Sequence, residues 1–182
     1  MTQQSLAGTS ASTSSPRADR RVWNLAVLAA LTAYSTGVAW QAQFVSYPLY
    51  RSLSAEEFPG YHLDYNAAIP GVVIIPGFVT FLACAAFPWT RPARVPRAAA
   101  ATVAFCGVGS LLSTVLWAIP MHDRLDRIGQ DAATIASLLQ ANGVRTALLT
   151  VGAAALSWSM VRLIGVSGAA SAGRRPAGSP RR

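Results

Sequence analysis

Charge is scarce in this chain, and lysine is absent altogether. All 15 basic residues are arginine, against seven acids and two histidines in 182 residues. Charged residues make up 12% of the chain, where an ordinary soluble domain carries roughly 25%, so half of the usual solvating surface is missing. That excludes an ordinary soluble globular domain. Two cysteines, Cys84 and Cys106, are too few for a disulfide scaffold, and both sit inside apolar runs, which points to buried packing. No phosphate loop, dinucleotide fingerprint or Ser–His–Asp elbow occurs. The net charge of +8 and pI near 10.7 suggest nucleic-acid binding only until the arginines are placed. They are dispersed between long uncharged runs rather than gathered on one face, so nucleic acid is excluded as a partner.

What is present is hydrophobic length: 52% hydrophobic residues and a mean hydropathy of +0.36. Uncharged runs occupy 22–50, 65–90, 98–122 and 146–161. A span needs roughly 20 residues, so the first three suffice. The fourth is completed if Arg145 and Arg162 snorkel to opposite headgroup layers. Spans are therefore expected at about 22–46, 67–89, 98–120 and 144–165. The expected organisation is a disordered cytoplasmic tail at 1–21, a membrane domain at 22–165 and a disordered basic cytoplasmic tail at 166–182. The first apolar run exceeds a signal-peptide core and lacks an A-x-A site, which favours a retained helix. Eleven arginines fall on the side of the termini and the 89–97 link, and four on the other; six of the seven acids lie on that second side. The positive-inside rule puts both termini in the cytoplasm and the segments 47–66 and 121–143 outside. The fold class is all-α, an integral membrane four-helix bundle with short interfacial helices on the outer face.

The rare polar groups collect in those two outer segments. Thr36, Trp40, Gln43 and Tyr47 fall at helical spacing on one stripe of the first helix. Pro48 then ends or kinks it. Ser54 and Glu57 form a capping box for a short interfacial helix interrupted at Pro59-Gly60. His62 and Asn66 are four apart, as are Tyr61 and Tyr65. Two readings stay open: an aromatic belt at the headgroup layer, or a pocket between helix tops lined by Gln43, Tyr47 and His62. In the second segment, Asp131 is a candidate N-cap, and Gly143 releases the chain into the fourth span. Asn142 and Arg145 share a face at its top; Arg145 either snorkels or serves as an anion-binding fork.

His62 and His122, with Glu56, Glu57, Asp64 or Asp123, would supply three metal ligands, though their spacing matches no metal motif. They serve equally as acid–base groups in a metal-free pocket or as plain interfacial residues. Neither metal nor cofactor is assigned. Pro70, Gly71, Pro76 and Gly77 predict a kinked or closely packed second helix. Pro48-Leu-Tyr-Arg51 and Pro120-Met-His-Asp-Arg124 echo one another at the exits of spans one and three, consistent with two related hairpins.

Four stretches carry a resemblance: Trp40-Gln-Ala-Gln-Phe-Val-Ser-Tyr-Pro-Leu-Tyr50, Phe58-Pro-Gly-Tyr-His62, Trp117-Ala-Ile-Pro-Met-His-Asp-Arg-Leu125 and Asn142-Gly-Val-Arg-Thr146. In them the chain resembles small four-span bacterial membrane proteins of unknown function related to the anthrone oxygenase-like membrane family. Gly143 departs from the tryptophan usual there, so a stacking role at that position lapses. The resemblance implies a four-helix bundle in the inner (plasma) membrane, oxidising a phenolic polyketide-type substrate with molecular oxygen. On that reading His62 or His122 is the base, and Arg145 with Asn142 holds an oxyanion. Gln43, Tyr47, Tyr61 and Trp117 contact a lipophilic aromatic substrate. The competing reading is a non-enzymatic accessory (a partner subunit, small-molecule carrier or envelope-stress component, as a homo-oligomer or with a membrane partner protein), sensitive at Gly71, Gly77, Gly107 and Gly109 rather than at His62, His122 and Arg145. Direct transport is disfavoured because no ionisable residue lies at mid-membrane.

Overall fold

A computed structural model describes the backbone of residues 16–172 and the side chains of 19–165. Among the described residues the fold is all-helical. Four helices are long and apolar enough to cross a membrane: α1 (Asp19–Ser52), α2 (Phe58–Thr90), α3 (Arg97–Ile128) and α4 (Ala132–Gly165). Each is longer than the span expected at its place. The backbone is helical from Pro16, ahead of α1, and continues beyond α4 to Ala172, so both ends reach into stretches expected to be tails. The rest of those tails, 1–15 and 173–182, lies outside the described residues. Successive helices pack on one another, and α4 returns to α1.

The side-chain pattern is that of a protein solvated by hydrocarbon. Phe44, Phe105, Leu116, Val161 and Ile164 are each about 70% exposed on the outward faces, an apolar surface that water would not tolerate. Inside, hydroxyls return to their own helices. Thr32, Thr36, Thr80, Thr114, Thr146, Thr150 and Ser159 each donate to the carbonyl four residues earlier, so few polar atoms face an apolar medium unpaired. One core cluster, built on Tyr47, Tyr50, Phe58, Leu125, Ile135 and Leu138, fills the end bearing the links 53–57 and 129–131. Another, including Leu25, Phe87, Val95, Val103 and Leu156, fills the opposite end. There Arg21 donates to the Arg91 carbonyl at 3.0 Å, so the start of α1 meets the α2–α3 link.

Proline shapes three of the four helices in the same way. A π-helical turn occupies Ala42–Ser46, Pro70–Ile74 and Thr114–Ala118, in each case stopping two residues before a proline: Pro48, Pro76 and Pro120. Proline cannot donate to the carbonyl four residues back, and its ring collides with that carbonyl. The turn ahead of it widens, and the residue just before each proline bonds to the carbonyl five residues earlier. Pro48 therefore does not end α1. The widening rotates everything beyond it by about 100° relative to an uninterrupted helix. Trp40 accordingly faces outward at 44% exposure while Tyr47 is buried at 4%, so the predicted single stripe is split. Because Pro76 shows the same device, the shared prolines Pro48 and Pro120 do not by themselves mark two related hairpins.

Two further expectations about helix limits are corrected. Ser54 and Glu57 do exchange capping bonds, with the Ser54 N–H on Glu57 Oε2 at 3.1 Å and the Glu57 N–H on Ser54 Oγ at 3.2 Å. What they cap is α2 itself, which runs unbroken through Pro59, a first-turn residue, and Gly60. No separate interfacial helix intervenes. Asp131 caps the last helix through the Thr134 N–H at 2.8 Å, but that helix is one piece of 41 residues and Gly143 does not interrupt it. At 1.5 Å per residue it is about 60 Å long, twice the roughly 30 Å hydrocarbon core.

Candidate functional site

The polar groups of the link end are drawn into a single chain of contacts between α1, α2 and α3. His62, 1% exposed on the first turns of α2, places Nδ1 2.6 Å from Asp126 Oδ1. Its Nε2 lies 3.1 Å from His122 Nδ1, and His122 Nε2 lies 3.3 Å from the Tyr47 hydroxyl. Asp126 and His122 are four residues apart on α3, one helical turn, so both reach the same side. The π turn before Pro120 sets the phase of both. Asn66, one turn beyond His62, donates to both Asp126 carboxylate oxygens at 3.3 Å.

The tautomers follow from the network. An ionised Asp126 can only accept, so His62 carries its proton on Nδ1 and offers Nε2 as an acceptor. His122 must then donate from Nδ1 and accept at Nε2, where the Tyr47 hydroxyl is the donor. Every polar atom in the chain from Tyr47 to Asp126 has one assigned role. The two imidazoles lie end to end: their planes differ by 18°, and their centroids stand 5.3 Å apart, farther than the facing nitrogens by about two ring diameters' half-widths. Each in-plane nitrogen therefore points at the other, as a hydrogen bond requires. A metal between them would need both nitrogens turned towards a common third point. None of Glu56, Glu57, Asp64 or Asp123 is the carboxylate on His62; Asp126 is. Among the described residues no three of His, Cys, Asp and Glu gather as a metal would need.

Aromatic rings wall this chain off. Phe58 stacks on His62 at 5.3 Å, and Tyr50 sets its edge against Phe58, His62, Tyr61 and Tyr65. Gln130 fastens the wall by donating to the carbonyls of Tyr50 and Leu53 at 2.8 and 2.7 Å. At the two exposed caps the carboxyls are held below the ordinary range, Glu57 by Ser54 and Asp131 by Thr134, which donate to the charged form.

Behind the histidines lies an apolar pocket with a free volume of about 70 Å³, open on one side. Val73, Gly77, Phe78, Phe81, Ala118 and Ile119 form much of its wall, and Tyr47, His122 and Arg145 bring polar atoms to it. Arg145, 8% exposed, donates through Nη2 to Asn142 Oδ1. Asn142, fully buried, donates in turn to the Ala39 carbonyl at 3.0 Å and to Gln43 Oε1 at 2.7 Å. Both of its N–H donors are thereby used, so it aims Arg145 and has none left for an oxyanion. Gln43 steadies Asn142 and lies at ordinary contact distance from where a Cβ of Gly143 would stand.

Of the residues singled out from sequence, Tyr47, His122 and Arg145 meet at the pocket, and His62 backs them. Asn142 and Gln43 form the layer behind Arg145. Tyr61 stays 41% exposed against Tyr50, and Trp117 donates to Ser137 Oγ at 2.8 Å in the neighbouring core; neither lines the pocket. Asp126 is the residue that the sequence reading passed over. Its four-residue spacing from His122 was the available signal. Cys84 and Cys106 are free and buried away from this site. Gly107 and Gly109 are closely packed, but within the chain, against Cys84 and Phe81 in one case and Leu148 in the other; Gly71 faces open space.

No protein-family model, curated protein or solved structure matches this chain.

Proposed function

We propose that the chain is a four-helix membrane oxidoreductase that removes a proton from a lipophilic aromatic substrate and lets the resulting anion react with molecular oxygen. The observation that carries this reading is the meeting of Tyr47, His122 and Arg145 at one apolar pocket, with a fully ordered hydrogen-bond chain behind them. An apolar cavity with a few convergent polar groups is the ordinary form of a small-molecule site. The resemblance to the anthrone oxygenase-like membrane family supplies the substrate class. The arginine distribution supports cytoplasmic termini and a pocket towards the outer face of the plasma membrane.

The residues divide the work. Arg145 holds the substrate's oxygen, so that charge developing there on deprotonation meets a guanidinium in a medium where water does not screen it. The acidic CH₂ across the ring from that oxygen loses a proton to Tyr47, whose own proton moves to His122 Nε2. His122 Nδ1–H passes to His62 Nε2, and His62 Nδ1–H passes to Asp126. The proton leaves the pocket and reaches a carboxylate whose side chain is 34% exposed. The resulting enolate adds dioxygen at carbon and takes up a proton to give a hydroperoxide. A second C–H proton is then removed, the O–O bond breaks, and the CH₂ group has become a carbonyl. One oxygen atom is in the product and the other in water, so four electrons pass from carbon to one dioxygen.

The test is oxygen uptake by the purified full chain in lipid nanodiscs supplied with anthrone. His122→Ala and His62→Ala are each expected to lower the rate by about 10²–10⁴-fold, the usual worth of general base catalysis. Unchanged turnover in both variants overturns the proposal.

A further inference from the structure

The pocket's link end is closed by Tyr50, Phe58 and His62, each at most 1% exposed. A ligand must therefore come from the side, either by the pocket's own mouth or by the way that α1 and α2 leave towards Arg145. These helices touch at a waist, where Ser35 Oγ meets Thr80 Oγ1 at 2.9 Å, Thr80 Oγ1 reaches the Leu31 carbonyl at 3.4 Å and Thr32 Oγ1 meets Cys84 Sγ at 3.6 Å. Beyond the waist, towards the link end, they part around an open cleft of about 530 Å³ lined by Tyr34, Gly37, Val38, Gln41, Val72 and Val73. A narrower passage continues from it. Tyr34, Val38, Val72 and Val73 belong to both, and at its inner end stand Gly77, Phe81 and Arg145. Val73, Gly77, Phe81 and Arg145 are also walls of the catalytic pocket. The cleft, the passage and the pocket thus form a series, with the Arg145 guanidinium at the junction of the last two.

Three details suit this series to passage. A Cβ at Gly37 would meet nothing within 4 Å, and the same holds at Gly71 beside Val72, so the cleft walls are bare where α1 and α2 part. The Tyr34 hydroxyl bridges the cleft by donating to the Val72 carbonyl at 2.8 Å. That carbonyl lies four residues before Pro76, which has no N–H to give it. Tyr34 therefore takes the place of a missing helix donor and can leave without breaking a helix. Arg145 uses Nη2 on Asn142, and among the described residues no other acceptor is placed against its guanidinium.

We infer that the cleft between α1 and α2 is the entrance through which a membrane-dissolved lipophilic phenol reaches Arg145, with the Tyr34–Val72 hydrogen bond as its latch. The inference rests on the reading of the pocket as a substrate site and names how the substrate arrives. The mouth opens onto a face whose neighbours are lipid chains, which selects a molecule soluble in hydrocarbon. The cationic inner end selects one that presents an oxygen able to bear negative charge.

The experiment uses the full chain in nanodiscs and a diazirine-bearing alkylphenol, with excess 4-nonylphenol as competitor and peptide mapping of the adducts. Competable labelling is expected along Tyr34–Gln41 and Val72–Phe81. Gly37→Trp, which fills the cleft, is expected to slow competable labelling of the Val72–Phe81 peptide at least tenfold. Ala86→Trp, equally bulky but in the separate crevice on the other side of the waist, is expected to leave it unchanged. Tyr34→Phe is expected to speed it by at least about fivefold, the worth of one ordinary hydrogen bond being the lower bound where no water replaces it. If Gly37→Trp labels at the wild-type rate while Ile119→Trp, on the α3 wall of the pocket, blocks labelling, the entrance lies between α2 and α3 and the inference is overturned. It is equally overturned if a diazirine phospholipid competes as well as the phenol, because the cleft is then only filled by lipid. Saturable labelling blocked by Gly37→Trp in a protein that consumes no oxygen would uphold the entrance and sink the oxidation.

Discussion

Asp126→Asn separates the relay from mere packing, because its effects on stability and on proton transfer differ widely. The Asn carbonyl oxygen can occupy the place of Oδ1, 2.6 Å from His62 Nδ1, and accept the same proton. The tautomers of His62 and His122 are then preserved. What is lost is the charge on the His62 bond, which changes its worth from about 1.5–3 kcal/mol to about 0.5–1.5 kcal/mol, together with the long exposed bond that Asn66 gives to Oδ2, whose place an NH₂ takes. The partly exposed position of Asp126 holds the cost near the low end of that difference, about 1 kcal/mol. Asp126→Ala is harsher: it leaves the N–H of a nearly inaccessible histidine without an acceptor, at about 1–3 kcal/mol. Proton transfer responds differently. An amide cannot take up the proton that His62 must release, so the chain stalls at its outlet and turnover falls by about 10²–10⁴-fold. Both variants should be equally inactive, and only the alanine should be clearly unstable. Thermal unfolding in nanodiscs followed by tryptophan fluorescence gives the first quantity and oxygen uptake the second. Ring ¹⁵N shifts report directly whether His62 carries its proton on Nδ1. Turnover by Asp126→Asn within about threefold of wild type, or a wild-type His62 protonated on Nε2, refutes the relay as derived.

Pro120→Ala restores an N–H donor and lets the π turn at Thr114–Ala118 relax to α-helix, which swings His122 and Asp126 by about 100° away from His62; unfolding should be unchanged or later, while oxygen uptake and the His62–His122 NMR coupling disappear. Gly107→Ala places a Cβ 2.6 Å from the Cys84 Cβ and 2.7 Å from the Phe81 carbonyl, so it should destabilise by about 1–3 kcal/mol, whereas Gly71→Ala, facing open space, should be neutral or stabilising in the same unfolding assay. The caps at Glu57 and Asp131 have depressed carboxyl pKa values, so their stabilisation is present above the ordinary carboxylate range near pH 4 and is lost as pH falls through the lower folded values. Glu57→Gln and Asp131→Asn should each flatten the acid side of a plot of unfolding midpoint against pH; a plot identical to wild type would contradict the assignment.

How far the sequence reveals this arrangement depends on the kind of physics that sets each part. The four spans are legible because their cause is additive: a window of apolar residues needs no partner to declare itself. The end of the molecule that holds the polar groups is legible for the same reason, since arginines and acids sort along the chain independently of contacts. His62 and His122 fall together at that end, and their proximity follows from it. Their use does not. Asp126 reads as one more acid in His122-Asp-Arg-Leu-Asp-Arg127, and only a neighbouring helix singles it out from Asp123. Asn142 reads as a ligand group because the sequence cannot show that Ala39, Gln43 and Arg145 occupy its amide.

The π turns are the deeper obstacle, and they bear directly on the chemistry. A reader of Pro48, Pro76 and Pro120 infers a break or a kink, whereas the chain keeps the helix and changes its phase. Side-chain positions counted at 3.6 residues per turn are then correct up to each turn and displaced beyond it. Tyr47, His122 and Asp126 all lie just past such a turn, and the Val72 carbonyl that Tyr34 holds lies inside another. The same proline that removes a backbone donor therefore does one of two things: it turns a polar side chain inward, or it exposes a carbonyl for a side chain of the neighbouring helix to hold. In hydrocarbon neither is free, because a carbonyl left unpaired there costs several kcal/mol, so each must be answered by a widened turn or an external donor. Positions where helix spacing fails in an apolar span are thus where polar contacts between helices must be made, and in this chain those contacts are the Tyr34 bond to the Val72 carbonyl and the Tyr47 bond to His122.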